Sequence, residues 1–250
     1  MPTTNYIDEA LSGLEPVKQT SLDVDFTHEE FETGPVCSLA GGGAAGGADT
    51  TTCLAAFENN IFEYYNIGTQ TLVGPTLAAD GLLASLDLTN AKGVEYSQGI
   101  TARSKSAFVI GTSRAFYLKV GLKIADVSGV ALCNIGFRKS AAYDSTFADY
   151  TDKATIGCVG VDVKTITALN DDADVTTDTT EAWADGEVHM LEVLVSAAGV
   201  VTYKLDGVAP DTVVAFTFDD EDVVIPFLHI LHDTTSPGAI HIQSWECGLQ

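Results

Sequence analysis

Four aspartates stand close together in one stretch of the chain, NDDADVTTDTT, which follows a segment rich in β-branched residues. They are Asp171, Asp172, Asp174 and Asp178. Carboxylate oxygens are the ligands that Ca²⁺ prefers, and loops can supply the flexible geometry that this ion accepts. The four aspartates are therefore candidate Ca²⁺ ligands, although neither they nor a second acidic run at 219–222 have EF-hand spacing. The simpler interpretation of both runs is a solvated acidic loop.

Three histidines near the end of the sequence are the other candidate metal ligands. His229 and His232 are three residues apart, so a regular strand points them to opposite faces, where they cannot chelate one ion. His241 would have to join one of them across a hairpin at the DTTSPG turn. We therefore expect no metal site at the histidines, and no cofactor beyond the candidate Ca²⁺ ion at the aspartate loop.

The sequence carries none of the common catalytic motifs. It has no G-x-S-x-G elbow, no H-E-x-x-H pair and no P-loop. The run at 41–46 satisfies G-x-G-x-x-G by letter, but it lies in a Gly/Ala-rich stretch without a βαβ context, which predicts a loop. Glu187 and Glu192, the acids nearest His189, have an odd spacing that sends them to opposite faces of a strand, whereas glycosidases need two facing carboxylates. We therefore expect a protein that is not an enzyme.

Aromatic residues among polar neighbours are the candidates for sugar binding. Proteins that bind sugars offer exposed aromatic rings flanked by hydrogen-bonding groups. Trp183, Tyr143 and Tyr150 have such neighbours in the sequence. They are the candidate glycan-binding residues, on loops at one edge of the fold.

Composition excludes several classes of partner. Asp and Glu number 35 against 12 Lys and Arg, a formal charge of -23, so the chain would repel a phosphate backbone and we expect no nucleic-acid partner. Its apolar runs are far shorter than the roughly 20 residues that span a bilayer, so we expect no membrane partner. The N-terminus shows no secretory signal, which predicts synthesis in the cytoplasm. Five cysteines without a C-x-x-C pair predict small buried thiols rather than a disulfide framework or a zinc site.

Short strands are the elements that must position these residues. In AFYLKVGLKI every second residue is apolar, which predicts a strand with one face in the core, and VALCNIGFR after the DVSG turn predicts its hairpin partner. EVHMLEVLV and VVTYKLDGV predict a second hairpin around the SAAG turn. At least eight such strands and almost no amphipathic helix predict an all-β antiparallel sandwich.

The beginning of the chain has a different pattern. Residues 1–60 are acidic, poorly periodic and interrupted by the Gly/Ala-rich loop. We predict that they form an irregular N-terminal arm outside the main core, and that residues 61–250 form the sandwich domain.

The stretch WADGEVHMLEVLVSAAGVVTYKLDGVAP resembles a strand pair of concanavalin A-like and laminin-G-like sandwiches, in which DGxWHxLxV precedes a turn and YxDG. The matching positions are Asp185, Gly186, His189, Leu191, Val193, Tyr203, Asp206 and Gly207, with Val188 in place of the tryptophan that often precedes the histidine. The resemblance implies a jelly-roll sandwich used for sugar binding, protein adhesion or particle stabilisation. No motif matches the calcium and sugar ligands of the plant lectins.

The last strands, VVIPFLHILHDTTSPGAIHIQSWECGLQ, resemble the closing strands of structural proteins in tailed-phage virions. This resemblance implies a non-enzymatic capsid decoration, or cement, protein that stabilises the outer shell. Its expected partners are the major capsid protein or other virion proteins, its expected state is a homo-oligomer such as a trimer, and its expected location is the virion after synthesis in the host cytoplasm. The alternative is a carbohydrate-binding or receptor-binding module of a tail or fibre. A third alternative, a glycosidase or lyase, would need two carboxylates about 5 to 10 Å apart in a cleft.

Overall fold

The computed structural model describes residues 27–30, 38–40, 52–57, 60–67, 76–78, 80–84, 92–98, 107–233 and 239–250. Within these residues the chain forms β-strands and two short 3-10 turns, at Val127–Gly129 and Phe147–Asp149. None of the helical segments in this part of the chain is long and apolar enough to cross a membrane.

The strands, in chain order, are β1 (Thr27–Glu30), β2 (Ser38–Ala40), β3 (Thr52–Phe57), β4 (Asn60–Ile67), β5 (Thr76–Ala78), β6 (Gly81–Leu83), β7 (Gly93–Ser97), β8 (Phe108–Val109), β9 (Phe116–Ile124), β10 (Val130–Lys139), β11 (Lys153–Val159), β12 (Asp162–Ala168), β13 (Val175–Ala182), β14 (Val188–Val195), β15 (Val200–Leu205), β16 (Phe216–Thr217), β17 (Val223–His232) and β18 (Ile240–Leu249).

These strands form two antiparallel sheets that pack face to face. The eight-stranded sheet has the order β16-β15-β14-β9-β18-β6-β5, with β1 also paired to β18. The ten-stranded sheet has the order β13-β12-β11-β10-β17-β7-β4-β3-β2, with β8 also paired to β17. The all-β antiparallel sandwich that the strand pattern predicted is therefore confirmed.

The core lies between the sheets and is built from alternate residues of each strand. On β9, Phe116, Leu118, Val120, Leu122 and Ile124 are fully buried, as their spacing predicted. The same core contains alternate residues of β14 and of the ten-stranded sheet. Each such side chain contributes about 1.5–3 kcal/mol when it leaves water, so this alternation is what fixes the register of the strands.

The predicted hairpin of β14 and β15 is confirmed. Leu191 lies opposite Leu205 and Val195 lies opposite Val201. The connecting turn is closed by a hydrogen bond from the backbone N–H of Gly199 to the carbonyl of Ser196, at 2.9 Å. Gly199 has a φ of 80°, a conformation that glycine adopts without strain.

The other predicted hairpin, β9 with β10, is wrong. β9 belongs to the eight-stranded sheet and β10 to the ten-stranded sheet, so the DVSG segment crosses from one sheet to the other. Asp126 and Asp185 hold this crossing, because they accept hydrogen bonds from the N–H groups of Ser128 (3.0 Å) and Val127 (2.9 Å). Alternation shows which face of a strand is buried, and two strands that face each other across the core have the same pattern as two neighbours in one sheet.

The hairpin assumed at DTTSPG is wrong for the same reason. β17 belongs to the ten-stranded sheet and β18 to the eight-stranded sheet. Residues 234–238 of this connection lie outside the described residues.

Described strands from the first 60 residues pair with both sheets. β1 pairs with β18, while β2 and β3 extend the ten-stranded sheet beyond β4. The Gly/Ala-rich loop lies outside the described residues, and the domain boundary at residue 60 stays a prediction.

β13 is the last strand at one end of the ten-stranded sheet in the described part of the chain. Its side chains are largely exposed, and only that of Thr179 is buried. Its pairing with β12 is irregular between Asp162 and Lys164, and Thr180 has a φ of 70°. The strand therefore departs from regular ladder geometry near its end.

The connection between β10 and β11, residues 140–152, folds back over the outer face of the ten-stranded sheet. We call this segment the strap. A hydrogen bond of 2.8 Å from the N–H of Lys139 to the carbonyl of Asp152 closes its base. Its Phe147 and Tyr150 pack with Phe227 and other apolar residues into a second, smaller core. The strap thus covers a sheet face that would otherwise be open to solvent.

Candidate functional site

A cleft of about 220 Å³ lies along the strap. We call it the strap cleft. Its lining residues are Lys139, Ala141, Ala142, Tyr143, Asp144, Asp149, Tyr150, Thr151 and Asp152. The ring of Tyr143 is stacked on the ring of Tyr65 from β4, with centroids 4.6 Å apart and planes within 4° of parallel. An aromatic ring is therefore held in a fixed position among carboxylates.

Lys139, the only basic residue among the described residues of this lining, is already paired. Its Nζ lies 2.6 Å from Oδ1 of Asp222 and 3.3 Å from Oδ2 of Asp152. The bond to Asp222 and the charges of both carboxylates raise the pKa of Lys139. Burial alone would raise the pKa of Asp152, but the N–H of Asn170, the hydroxyl of Thr151 and Lys139 together lower it. Both groups are held in their charged forms, and the remaining charges of the lining, Asp144 and Asp149, are negative.

Several buried polar residues lie beneath the strap on the outer face of the ten-stranded sheet. Glu95 of β7, Asn134 and Arg138 of β10, and His229 of β17 are each fully buried. We call them the outer-face cluster. In the sheet register Asn134 lies opposite His229, and His229 lies opposite Glu95, so three of the four form one row across the sheet.

Glu95 is the centre of this cluster. Its Oε1 accepts hydrogen bonds from Nε and Nη2 of Arg138, at 3.1 and 2.9 Å. Its Oε2 accepts one from the hydroxyl of Tyr150, at 2.6 Å, and lies 3.2 Å from Nδ1 of His229. Burial works to raise the pKa of Glu95, but the charge of Arg138 and the bonds from His229 and Tyr150 outweigh it and lower the pKa. Glu95 is therefore a buried carboxylate.

Tyr150 joins the strap to this carboxylate. The guanidinium carbon of Arg138 lies 4.3 Å from the centre of the Tyr150 ring. Burial and the nearby charge of Glu95 raise the pKa of Tyr150 far above its ordinary value, so its hydroxyl stays protonated and donates. The same oxygen accepts a hydrogen bond of 3.0 Å from the N–H of Asp144.

Three buried polar atoms on this sheet face have no hydrogen-bond partner among the described residues. They are Oγ of Ser97, Oδ1 of Asn134 and Nε2 of His229. Leaving such a group unpaired in a protein interior costs about 1–3 kcal/mol. Few folded proteins keep several in one place without a reason.

The four candidate Ca²⁺ ligands are not brought together as a ligand set. Asp174 pairs with Nζ of Lys153 at 2.5 Å, and Asp178 accepts a bond of 2.8 Å from the N–H of Thr180 on the edge strand. Asp171 and Asp172 are exposed in a turn. No group of three or more His, Cys, Asp or Glu residues that could hold a metal ion occurs in the described part of the chain.

The histidines are also separated. His229 lies under the strap in the ten-stranded sheet, whereas His241 lies in the eight-stranded sheet. The pairing of the two across the DTTSPG turn, which a metal site would need, is therefore absent.

The expected exposure of two aromatic candidates is corrected by the structure. Trp183 packs in the main core with 1% of its surface exposed, and Tyr150 is held under the strap at 5%. Neither ring can serve as an exposed platform for a sugar. Tyr143 is half-buried and lines the strap cleft, so it is the aromatic candidate whose position fits a ligand.

His189, which stood beside two acids in the sequence, holds the β14–β15 hairpin together. Its Nδ1 lies 2.7 Å from Oδ2 of Asp206, and its Nε2 lies 3.2 Å from Oε2 of Glu187. The other oxygen of Asp206 accepts a bond from the N–H of Met190. On the opposite face, Glu192 lies 3.6 Å from Lys119 and 3.3 Å from Lys204. The two glutamates are therefore on different faces, as their spacing predicted.

Sequence reasoning missed most of the outer-face cluster. Glu95, Asn134 and Arg138 were not candidates, and His229 was considered only as a metal ligand. A signal was present, because each is a polar residue at an alternate position of a strand whose intervening residues are apolar. A strand covered on both faces should be apolar on both, so a polar residue there marks a special position.

Neither a protein-family model nor a curated protein matches the sequence. The structure is similar to the potassium-bound carbohydrate recognition domain of Emp46p, with 8% identity, a TM-score of 0.51, and 70% of this chain and 85% of that chain covered. The carbohydrate recognition domain of Emp47p matches with 9% identity, 90% and 88% coverage, and a TM-score of 0.48. An alginate lyase from Pseudomonas aeruginosa matches with 12% identity, 79% and 86% coverage, and a TM-score of 0.47.

At 8% identity the similarity to the Emp46p domain shows the fold alone. It supports the concanavalin A-like jelly-roll sandwich that the sequence resemblance implied, and it gives no support to the relation with phage virion proteins. The fold by itself does not decide whether this chain is a binding protein or a catalyst.

Proposed function

We propose that the chain is a carbohydrate-recognition module that binds a neutral glycan in the strap cleft. The observation that carries the proposal is the ring of Tyr143, fixed against Tyr65 beside the carboxylates of Asp144 and Asp149. An aromatic ring can pack against the apolar face of a sugar while neighbouring oxygens accept hydrogen bonds from its hydroxyls. At about 220 Å³ the cleft is smaller than the roughly 300–1,000 Å³ of drug-sized sites, which favours a single sugar unit.

The charge of the site favours a neutral sugar over an acidic one. Lys139 is paired with Asp152 and Asp222, which leaves Asp144 and Asp149 as negative charges facing the cleft. The whole chain carries a formal charge of -23, which adds a repulsive field for any anion. Uronic, sialylated and sulfated glycans should therefore bind less well than neutral ones.

A glycan array that contains neutral and acidic glycans tests this proposal. We expect binding to neutral glycans, with an affinity about tenfold lower in Tyr143→Ala because the stacking surface is lost. Tyr143→Phe keeps the ring and should bind like the wild type. Phe216→Ala, at the far edge of the other sheet, is the matched control. A negative array, or equal binding by Tyr143→Ala and the control, would contradict the proposal.

We further propose that the module is a component of a tailed-phage virion. It is supported by the resemblance of residues 223–250 to closing strands of virion proteins, and by an acidic charge that would keep crowded copies soluble. In this proposal the chain is either a capsid decoration protein that contacts the major capsid protein as a trimer, or the receptor-binding module of a tail or fibre.

Purified particles test the virion proposal. Protein that lacks residues 1–26, but keeps β1, should remain folded and lose its association with empty phage shells if it is a decoration protein. Unchanged association would contradict a role for the N-terminal segment, and no association of the full chain with shells or tails would contradict the virion proposal.

A further inference from the structure

The sheet face beneath the strap is polar where packing alone would favour apolar residues. Glu95, Arg138 and His229 are fully buried there, although the strap covers them with the apolar side chains of Phe147 and Tyr150. Replacing a buried ion pair by well-packed apolar residues is often neutral or stabilising. The cluster therefore needs an explanation other than stability.

The unpartnered atoms lie on the same face as this cluster. Ser97 and Glu95 are alternate residues of β7, while Asn134 and His229 face each other across β10 and β17. Ser97, Asn134 and His229 have no exposed surface, yet each keeps one polar atom without a partner. Buried donors and acceptors without partners are what a polar ligand would satisfy.

A glycine lies in close contact with one of these atoms. Gly157 lies opposite Asn134 on β11. A Cβ atom at Gly157 would stand 2.1 Å from the carbonyl oxygen of Cys133 and 2.5 Å from Oδ1 of Asn134, so no larger residue fits there. On the same strand, Oγ1 of Thr155 accepts a hydrogen bond of 3.2 Å from Nδ2 of Asn134, so only the oxygen of this amide lacks a partner.

Tyr150 occupies this face in the manner of a ligand. Its hydroxyl donates to Oε2 of Glu95 at 2.6 Å and accepts from the N–H of Asp144 at 3.0 Å, while its ring lies on Arg138. One donated bond, one accepted bond and one stacked face are also what a sugar hydroxyl and its ring carbons offer. Residues 140–146 and 148–149 of the strap are exposed or half-buried, whereas Phe147 and Tyr150 are buried.

We propose that Ser97 and the outer-face cluster form an inner sugar subsite, and that the side chain of Tyr150 fills it until a glycan in the strap cleft displaces that side chain. The inference rests on the proposed function and extends the site inward from Tyr143. The expected ligand is neutral, because Arg138 already balances the charge of Glu95. The unpaired groups of Ser97, Asn134 and His229 would bind its hydroxyls, and Phe227 would lie beside its apolar face.

The substitution Ser97→Ala distinguishes a sugar-binding role of the Ser97 hydroxyl from a role in stability. The substitution removes an unpartnered hydroxyl, so the melting temperature should stay the same or rise, while a subsite role predicts about two- to tenfold weaker sugar binding. The probes are neutral trisaccharides of glucose, galactose and mannose, measured by calorimetry. Ser244→Ala, on the other sheet, is the matched control and should change neither property.

Tyr150→Phe tests the internal ligand. It keeps the ring on Arg138 but removes the hydroxyl that competes with the sugar, so affinity for the same probes should rise about two- to tenfold. In the wild type, adding the sugar should speed hydrogen exchange at the N–H of Asp144, whose acceptor is that hydroxyl. Most ligands slow hydrogen exchange near their binding site, so faster exchange at Asp144 would indicate that the Tyr150 hydroxyl has left this N–H.

The outcomes distinguish this inference from the function on which it rests. If the wild type binds a probe and Tyr143→Ala does not, while Ser97→Ala and Tyr150→Phe bind like the wild type, the inner subsite is overturned and the strap cleft stands. If neither the wild type nor Tyr150→Phe binds any probe, both proposals are overturned. Weaker binding by Ser97→Ala together with tighter binding by Tyr150→Phe supports the inner subsite.

Discussion

Glu95→Gln should destabilise the fold strongly, because it leaves the charge of Arg138 buried without its partner. In the native chain Arg138 bonds twice to Glu95, and its Nη1 also donates to the carbonyls of Lys139 and Ala141 at 3.1 Å. Removing one partner of a buried ion pair costs about 3–5 kcal/mol. Since two carbonyls still bind the guanidinium, we expect the lower end, about 3 kcal/mol.

The same substitution at Glu192 is the matched control. Glu192 pairs with Lys119 and Lys204 at 3.6 and 3.3 Å, and both lysines are more than one-third exposed. Pairs of this kind contribute about 1 kcal/mol or less. Urea unfolding followed by the fluorescence of the two buried tryptophans, Trp183 and Trp245, gives both values. Equal destabilisation by the two substitutions would refute the ion-pair reasoning.

The pH dependence of the difference gives a second check. The pKa of Glu95 is lowered in the folded chain from its ordinary 4.5, so its ionised form stabilises the fold above that pH. This contribution is lost as the pH falls through the native pKa. The difference in unfolding free energy between wild type and Glu95→Gln should therefore be constant above about pH 6 and shrink below pH 4.5. A difference that grows on acidification would contradict the assignment.

Three further predictions concern the sandwich itself. Gly199 and Gly186 both have positive φ, but a Cβ would meet a backbone oxygen at 2.6 Å only at Gly199, so Gly199→Ala should lower the melting temperature more than Gly186→Ala. Leu191→Ala should cost about 2–5 kcal/mol in urea unfolding because its side chain is fully buried, and a loss below about 1 kcal/mol would contradict its place in the core. Burial raises the pKa of the Cys133 thiol, and that of Cys158 to about 12, so mass spectrometry should find both alkylated by iodoacetamide only after unfolding.

Much of the fold follows from local pattern, and the connectivity between the sheets does not. Period-two alternation identified β9, β14 and β15 and the faces that they bury. The Asp-Gly pair at 185–186 and the glycine at 199 indicated turns in the sequence. Both glycines have a positive φ, a conformation that glycine adopts without strain and that tight turns require. The pairing of β9 and β10 could not be inferred in this way, since a strand buries the same residues whether its neighbour lies beside it or across the core.

Most residues of the candidate site could not be predicted from the sequence either, because their proximity depends on which strands pair. Tyr143 was identified from its polar neighbours, but Tyr150 was expected to be exposed for the same reason and is instead buried under the strap. The row of Glu95, Asn134 and His229 comes from three strands that are far apart in sequence, and only the sheet register aligns them. Composition could not reveal this, because it depends on long-range pairing.

The irregular end of β13 affects how copies of the protein behave when they are crowded. A straight exposed edge strand offers a row of free backbone groups on which a second molecule can add its own strand, and repeated addition leads to fibrils. The positive φ of Thr180 and the shifted pairing at Asp162 interrupt that row. Carboxylates at Asp178 and Glu181 add charge repulsion between identical edges. High local concentration should therefore leave the molecules separate at this edge rather than joined into a continuous sheet.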